Sequence, residues 1–196
     1  MKVRAIIQAR MLSSRLRGKS LISVAEVPLL YRVVNSIKLF PFIDEIIVAT
    51  TRAQADEPIA AAANNLNVGI YRGDSENVLK RFKDASADLE EEDQIVRFTA
   101  DNPIYNIEIA KRIWSIHIDS DNDYTHIDGL SHIVPELIKV RALRELNSVV
   151  KADFDKEHVT PYLRKNRDQF KVQTLPNDFE GLRSDLDKFL TVDIPD

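Results

Sequence analysis

Directly behind a short apolar run, Val3, Ala5, Ile6 and Ile7, the chain places Arg10, Ser13, Ser14, Arg15, Arg17, Gly18 and Lys19. Such a run reads as a buried strand. The cations and hydroxyls therefore fall at a strand's carboxyl end, where open α/β sheets bind ligands. Hydroxyls and backbone N–H groups cradle phosphate oxygens, and Arg and Lys neutralise their charge. A solvated basic loop is the plain alternative. The background favours an anion site, because the whole chain carries 31 Asp and Glu against 27 Lys and Arg. A second candidate is Asp101, just past the apolar run 94–98. A carboxylate facing a phosphate loop suits Mg²⁺, which takes oxygen ligands and bridges to substrate phosphates. On position alone, capping the turn before Pro103 is equally open. Thr50 and Thr51 read first as turn residues, and Gly73-Asp74 ends a third strand in the same fashion.

The elements that must carry these groups follow from apolar spacing. Residues 28–38 place Leu29, Leu30, Val33, Val34 and Ile37 on one helical face, with Pro28 suited to the first turn. Residues 43–51 form a second buried strand, and 56–66 an alanine-rich helix. A short strand covers 68–71. The next helix begins near Ser75, a plausible N-cap, and the next strand covers 94–98. Strands alternating with helices indicate a parallel sheet with right-handed crossovers. Beyond it, helices are expected over 107–118, 135–146 and 156–166. Strands are expected over 170–175 and 189–194, and a solvated loop over 151–156. Trp114 is expected as a core or interface anchor.

Composition narrows the class. At 196 residues, with 44% hydrophobic and 30% charged side chains, the chain suits one globular domain. No apolar run approaches the roughly 18 residues of a membrane span, and no signal sequence precedes residues 1–4. The absence of cysteine excludes disulfides and thiolate metal sites and fits the cytoplasm. Net charge of −4 argues against a general nucleic-acid binder. The loop after the first strand is neither G-x-G-x-x-G nor a Walker sequence. Its arginine-rich character suits a nucleoside triphosphate gripped by side chains as well as backbone. The four histidines, His117, His126, His132 and His158, show no metal-ligand spacing.

The segment QARMLSSRLRGKSL resembles the opening motif of the sugar-acid cytidylyltransferases, above all their spore-coat-polysaccharide branch, with a pattern near Q-A-R-M-x-S-x-R-L-P-G-K. The likeness continues in order through PLLYRVVNSIK, IDEIIVATT, YRGDSENVLKRF, VRFTADNP, EHVTPYLRKN and LTVDIPD. It implies a three-layer α/β/α, Rossmann-like nucleotidyltransferase fold of the glycosyltransferase-A type, with a mostly parallel sheet, in a homodimer. It further implies transfer of CMP from CTP to an acidic sugar, with release of pyrophosphate, in surface polysaccharide synthesis. Matched residue by residue, Arg10, Ser14, Arg15, Gly18 and Lys19 take the triphosphate, and Gln8 and Ala9 border the nucleotide. Thr99 lies where the base is approached, Asn77 near the sugar or base side, and Asp101 matches a magnesium ligand. Arg10, Lys19 and Asp101 are then the catalytic set.

The departures carry expectations too. Leu12 and Arg17 replace the motif's glycine and proline, so the loop is expected to be shaped differently. His132-Ile133-Val134-Pro135-Glu136 aligns with a G-L-D-V-E segment whose aspartate the resemblance makes a second metal ligand. Val134 stands in its place, and valine cannot ligate a cation. Asp128 or Glu136 would substitute; otherwise the chain is a catalytically impaired nucleotide- or nucleotide-sugar-binding homologue with a regulatory or assembly role. His158 matches a family motif and faces either the acceptor or a structural partner, the latter favoured. The sequence stops inside T-V-D-x-P-x-D, so a single domain over 1–196 without the closing helix is expected.

Overall fold

The computed structural model describes residues 1–12 and 16–177. The central sheet is built from β1 (Val3–Gln8), β4 (Glu45–Thr51), β5 (Gly69–Gly73), β6 (Gln94–Thr99), β7 (Tyr124–Ile127), β8 (Glu136–Lys139) and β9 (Val172–Leu175). Its order is β5-β4-β1-β6-β8-β7-β9. Strands β5, β4, β1 and β6 run parallel, so their carboxyl ends share one edge. The antiparallel strand β8 joins β6 to β7, and β9 pairs parallel to β7. A small hairpin, β2 (Ser23–Val24) and β3 (Val27–Pro28), stands apart. Its turn residues Ala25 and Glu26 both have positive φ, the pattern of a two-residue hairpin turn without the usual glycine or asparagine.

Helices cover both faces and give the three layers. On one side α1 (Leu29–Ile37), α2 (Glu57–Asn65) and α4 (Ile107–Asp119) pack onto Ala5, Ile7, Val48, Val96 and Phe98. On the other, α3 (Val78–Asp84), α5 (Val140–Val149) and α7 (Pro161–Lys165) cover Ile6, Ala49, Ile95 and Ile138. A short helix, α6 (Asp153–His158), precedes α7. The apolar stripe read for 28–38 is fully buried as Leu29, Leu30, Val33, Val34 and Ile37. Each such side chain contributes about 1.5–3 kcal/mol through burial. Trp114 stacks on Phe42 with ring centroids 4.7 Å apart, closing the edge of this core. No helix among the described residues is long and apolar enough to cross a membrane.

Several expectations need correction. Residues 136–139 form β8, and the helix expected over 135–146 begins only at Val140. The helix expected over 156–166 is broken at Val159 (φ 69, ψ −57). There the Thr160 N–H donates to the His158 carbonyl at 2.8 Å, a tight γ-turn that L residues rarely adopt. Helix α6 already starts at Asp153, inside the expected loop. Pro28 is the N-cap of α1, not its first residue. Asn77, not Ser75, caps α3, its Oδ1 accepting the Lys80 N–H at 2.8 Å. The strand expected over 189–194 lies outside the described residues.

Candidate functional site

The sheet order creates one switch point. From β1 the chain moves outward to β4 and β5, then returns to the opposite side of β1 as β6. Crevices at such reversals bind ligands at the strands' carboxyl ends. Gln8 and Thr99 are register partners there, and the Ala100 N–H donates to the Gln8 carbonyl at 3.1 Å. Ala9 follows, buried, with its N–H on the Ala49 carbonyl.

The basic loop leaves β1 and returns through a closed neck. The Gly18 N–H donates to the Met11 carbonyl at 2.7 Å. Gly18 has φ 74, a left-handed conformation that costs glycine little. Met11 is held from the other side too, because its N–H donates to Asp56 Oδ1 at 2.7 Å. Asp56 is 2% exposed and also accepts from the Thr51 hydroxyl and N–H. Burial works to raise its pKa, but these bonds outweigh it and keep the carboxyl below the ordinary range. Sequence reasoning passed over Asp56; it pins the loop's first residue to the end of β4. Thr51, read first as a turn residue, is instead the last residue of β4, with its hydroxyl engaged by Asp56.

Behind the neck, Lys19 opens a short 3-10 turn and reaches the switch point. Its Nζ lies 2.5 Å from Asp101 Oδ2, with both side chains largely buried. Burial tends to raise the Asp101 pKa, and the Lys19 ammonium more than reverses it, leaving a carboxylate ionised at neutral pH. The structure thus brings together Lys19, Asp101, Gly18, Gln8, Ala9 and Thr99. Arg10 is half-exposed and paired with Glu157 of α6, Nη2 to Oε1 3.1 Å. Ser14 and Arg15 lie outside the described residues. Asn77 is committed through its Oδ1 to capping α3 at the β5 side of the edge.

The carboxylate substitutes expected near position 134 are not found. Val134 is buried in the core with Leu130 and Ile133. Glu136 is fully used: Arg97 Nη1 reaches Oε2 at 2.6 Å, while Arg164, the Tyr124 hydroxyl and the Thr160 hydroxyl meet Oε1. Arg97 in turn reaches Gln8 Oε1 at 3.2 Å, tying β8 and α7 to the switch point. Burial would raise the Glu136 pKa, but the two guanidiniums bring it to about 2. Asp128 is exposed beyond β7. No group of three or more metal-ligating side chains occurs among the described residues. Among the described residues Asp101 is the carboxylate that reaches the crevice, and an ionised oxygen donor beside the basic loop is of the kind Mg²⁺ takes. His158 is exposed and packs on Phe154, ring centroids 4.4 Å apart.

The Glu136 network makes a stability prediction. Glu136→Gln leaves the partly buried Arg97 and Arg164 without their buried counterion and will cost about 3 kcal/mol by urea unfolding. Because the folded pKa is depressed from 4.5 to about 2, the contribution is full above 4.5 and lost as pH falls toward 2. The variant's acid unfolding will accordingly be less steep than the parent's across that window.

A mostly parallel sheet between two helical layers, with these groups at its switch point, defines a Rossmann-like nucleotidyltransferase fold. The match to the family model described as Cytidylyltransferase spans residues 4–195. The chain belongs to the cytidylyltransferase family. It is 36% identical over 195 residues to an uncharacterized protein of Methanocaldococcus jannaschii, covering 95% of this chain and 79% of that one. It is 31% identical to the spore coat polysaccharide biosynthesis protein SpsF of Bacillus subtilis, covering 87% of this chain and 73% of the relative. A 3-deoxy-manno-octulosonate cytidylyltransferase of Acinetobacter baumannii is 25% identical, with 92% of this chain and 66% of that one aligned. The solved structure of a cytidylyltransferase from Leptospira borgpetersenii superposes with a TM-score of 0.86 at 25% identity, covering 98% of this chain and 82% of that one.

Proposed function

We propose that this protein transfers CMP from CTP to an acidic sugar, releasing pyrophosphate, in surface polysaccharide synthesis. The observation that carries the reading is the Lys19–Asp101 contact of 2.5 Å at the β1/β6 switch point, directly behind the closed neck of the basic loop. In the reaction a sugar hydroxyl oxygen attacks the α-phosphorus. The bond to the bridging oxygen breaks in line, the hydroxyl proton is lost, and pyrophosphate leaves. Such displacements depend on positioning and charge neutralisation more than on covalent catalysis.

Arg10, Ser14, Arg15, Gly18 and Lys19 grip the triphosphate in this proposal, Gln8 and Ala9 border the nucleotide, and Thr99 faces the base. Lys19 exchanges Asp101 for a phosphate oxygen when the nucleotide arrives. Asp101 would hold Mg²⁺, which supplies charge neutralisation at the phosphates when bound. Family membership and the likeness to an octulosonate cytidylyltransferase support the catalytic reading over a regulatory homologue. A homodimer in the cytoplasm belongs to the same proposal. The test is pyrophosphate release from CTP and Mg²⁺ across a panel of acidic sugars, with UTP, GTP and ATP as competitors. Release with one such sugar, inhibited poorly by the other nucleotides, is expected. Silence across the panel from folded protein overturns the reading.

A further inference from the structure

Arg97 holds two partners with one guanidinium. It stands opposite Glu136 in the antiparallel β6–β8 register, and two residues before Thr99, the register partner of Gln8. Alternation along the strands places Arg97 and Gln8 diagonally on one face of the sheet. Nη1 donates to Glu136 Oε2 at 2.6 Å, and Nη2 donates to Gln8 Oε1 at 3.2 Å. The Glu136 end cannot swing, because Arg164, the Tyr124 hydroxyl and the Thr160 hydroxyl grip its other oxygen. The Arg97 side chain is itself only 13% exposed, and that of Glu136 2%. A planar fork braced at one end therefore delivers a donor to Gln8 in a fixed direction.

That direction decides how the Gln8 amide is turned. A guanidinium carries donors and no acceptor, so only the amide oxygen can face it. The NH2 group is thereby turned away from Arg97. It meets no acceptor among the described residues and is not buried. Gln8 is the half-buried last residue of β1 at the switch point, so the free end of its amide is offered to whatever occupies the crevice. A fixed donor recognises an acceptor. Sugar hydroxyls both donate and accept and would satisfy either end of an amide. Phosphates have the cations of the basic loop to meet. What remains is a neutral atom that can only accept, a ring carbonyl oxygen or an unprotonated ring nitrogen. Cytosine carries both side by side.

We propose that Arg97 is a positioning residue: it holds Gln8 with the NH2 end toward the crevice, where that end donates to an acceptor-only atom of the nucleotide's base. That the base is cytosine rests on the function proposed above; that Arg97 sets the polarity of Gln8 does not. Because Glu136 also receives Arg164 of α7, the orientation of the amide is set from the β8 side of the sheet, independently of the loop that meets the phosphates.

The test titrates CTP, ribose 5-triphosphate and inorganic triphosphate at constant Mg²⁺ into the full chain, Gln8→Met, Arg97→Lys and the double variant by calorimetry. Gln8→Met keeps the bulk of the side chain and removes the donor. It will weaken CTP roughly 10-fold and leave both baseless ligands unchanged. Arg97→Lys keeps a counterion for Glu136 and loses the fork, so the amide is free to turn. CTP will weaken roughly 3-fold, again with the baseless ligands unmoved. In the Gln8→Met background Arg97→Lys will bring no further loss, the non-additivity of a residue that acts through another. A merely structural role for Arg97 would weaken all three ligands and add to the Gln8 loss. Additive losses, an equal loss for inorganic triphosphate, or a loss that persists with ribose 5-triphosphate each overturn the proposal. So does CTP binding untouched in Gln8→Met, which decides the matter even if Arg97→Lys fails to fold, and so does a parent that binds no nucleotide. The same pattern with UTP or ATP in place of CTP leaves Arg97 and Gln8 standing as base readers and removes only the cytidylyl transfer proposed above.

Discussion

Lys19→Ala will lower CTP-dependent pyrophosphate release by on the order of 10²–10³-fold, the scale of losing one preorganised charge donor at a reacting centre. The reasoning starts from placement. Lys19 sits immediately behind the neck closed by Gly18 and Met11, so its ammonium cannot wander far from the switch point. Its side chain is 11% exposed and reaches Asp101, where ion pairing is weakly screened. Removing it also alters its partner. Without the ammonium, burial is the leading influence on Asp101 and its pKa rises. The residual activity of the variant will therefore lose its acid limb at a higher pH than the parent. A rate profile across acid pH reads both effects together. Parent-like turnover with an unmoved acid limb would remove Lys19 from the mechanism.

Asp101→Asn keeps the volume and removes the charge. If Asp101 holds the cation, CTP affinity in the variant becomes nearly indifferent to Mg²⁺, and turnover drops by several kcal/mol of lost charge stabilisation, about 10²-fold or more. Calorimetry with and without the metal is the direct measurement. The two substitutions separate roles that one rate assay confounds. Lys19→Ala should weaken CTP binding with or without metal, whereas Asp101→Asn should abolish the difference between the two conditions. An undiminished metal effect in Asp101→Asn would place the cation elsewhere.

The half of the sheet that frames the crevice was legible in the sequence because strands buried on both faces leave continuous apolar runs. Residues 3–7, 43–51 and 94–98 are of that kind, and each became a parallel strand ending at the same edge. Strand β8 was hidden for the opposite reason. Glu136 and Lys139 bracket only Leu137 and Ile138, and four residues with charged ends resemble the first turn of the helix that follows. Their burial is possible because Arg97, Arg164, Asp121 and Glu92 supply the opposite charges, none predictable from local spacing. The break between α6 and α7 depends on a positive φ at a valine, which no propensity anticipates. Arg81 is buried as well, three residues after Val78 and one before Phe82, a charge on the face that the helix buries. Asn77 shows the converse, since a motif position that reads as a ligand contact is occupied locally by helix capping.

Met11 has its N–H fixed by Asp56 and its carbonyl fixed by Gly18. Residues 11 and 18 are thereby fastened to the scaffold and to each other. Closing a slightly longer or shorter excursion costs little once its ends are fastened. Changes in length or composition between positions 11 and 18 should therefore leave Lys19 in place and its pairing with Asp101 intact.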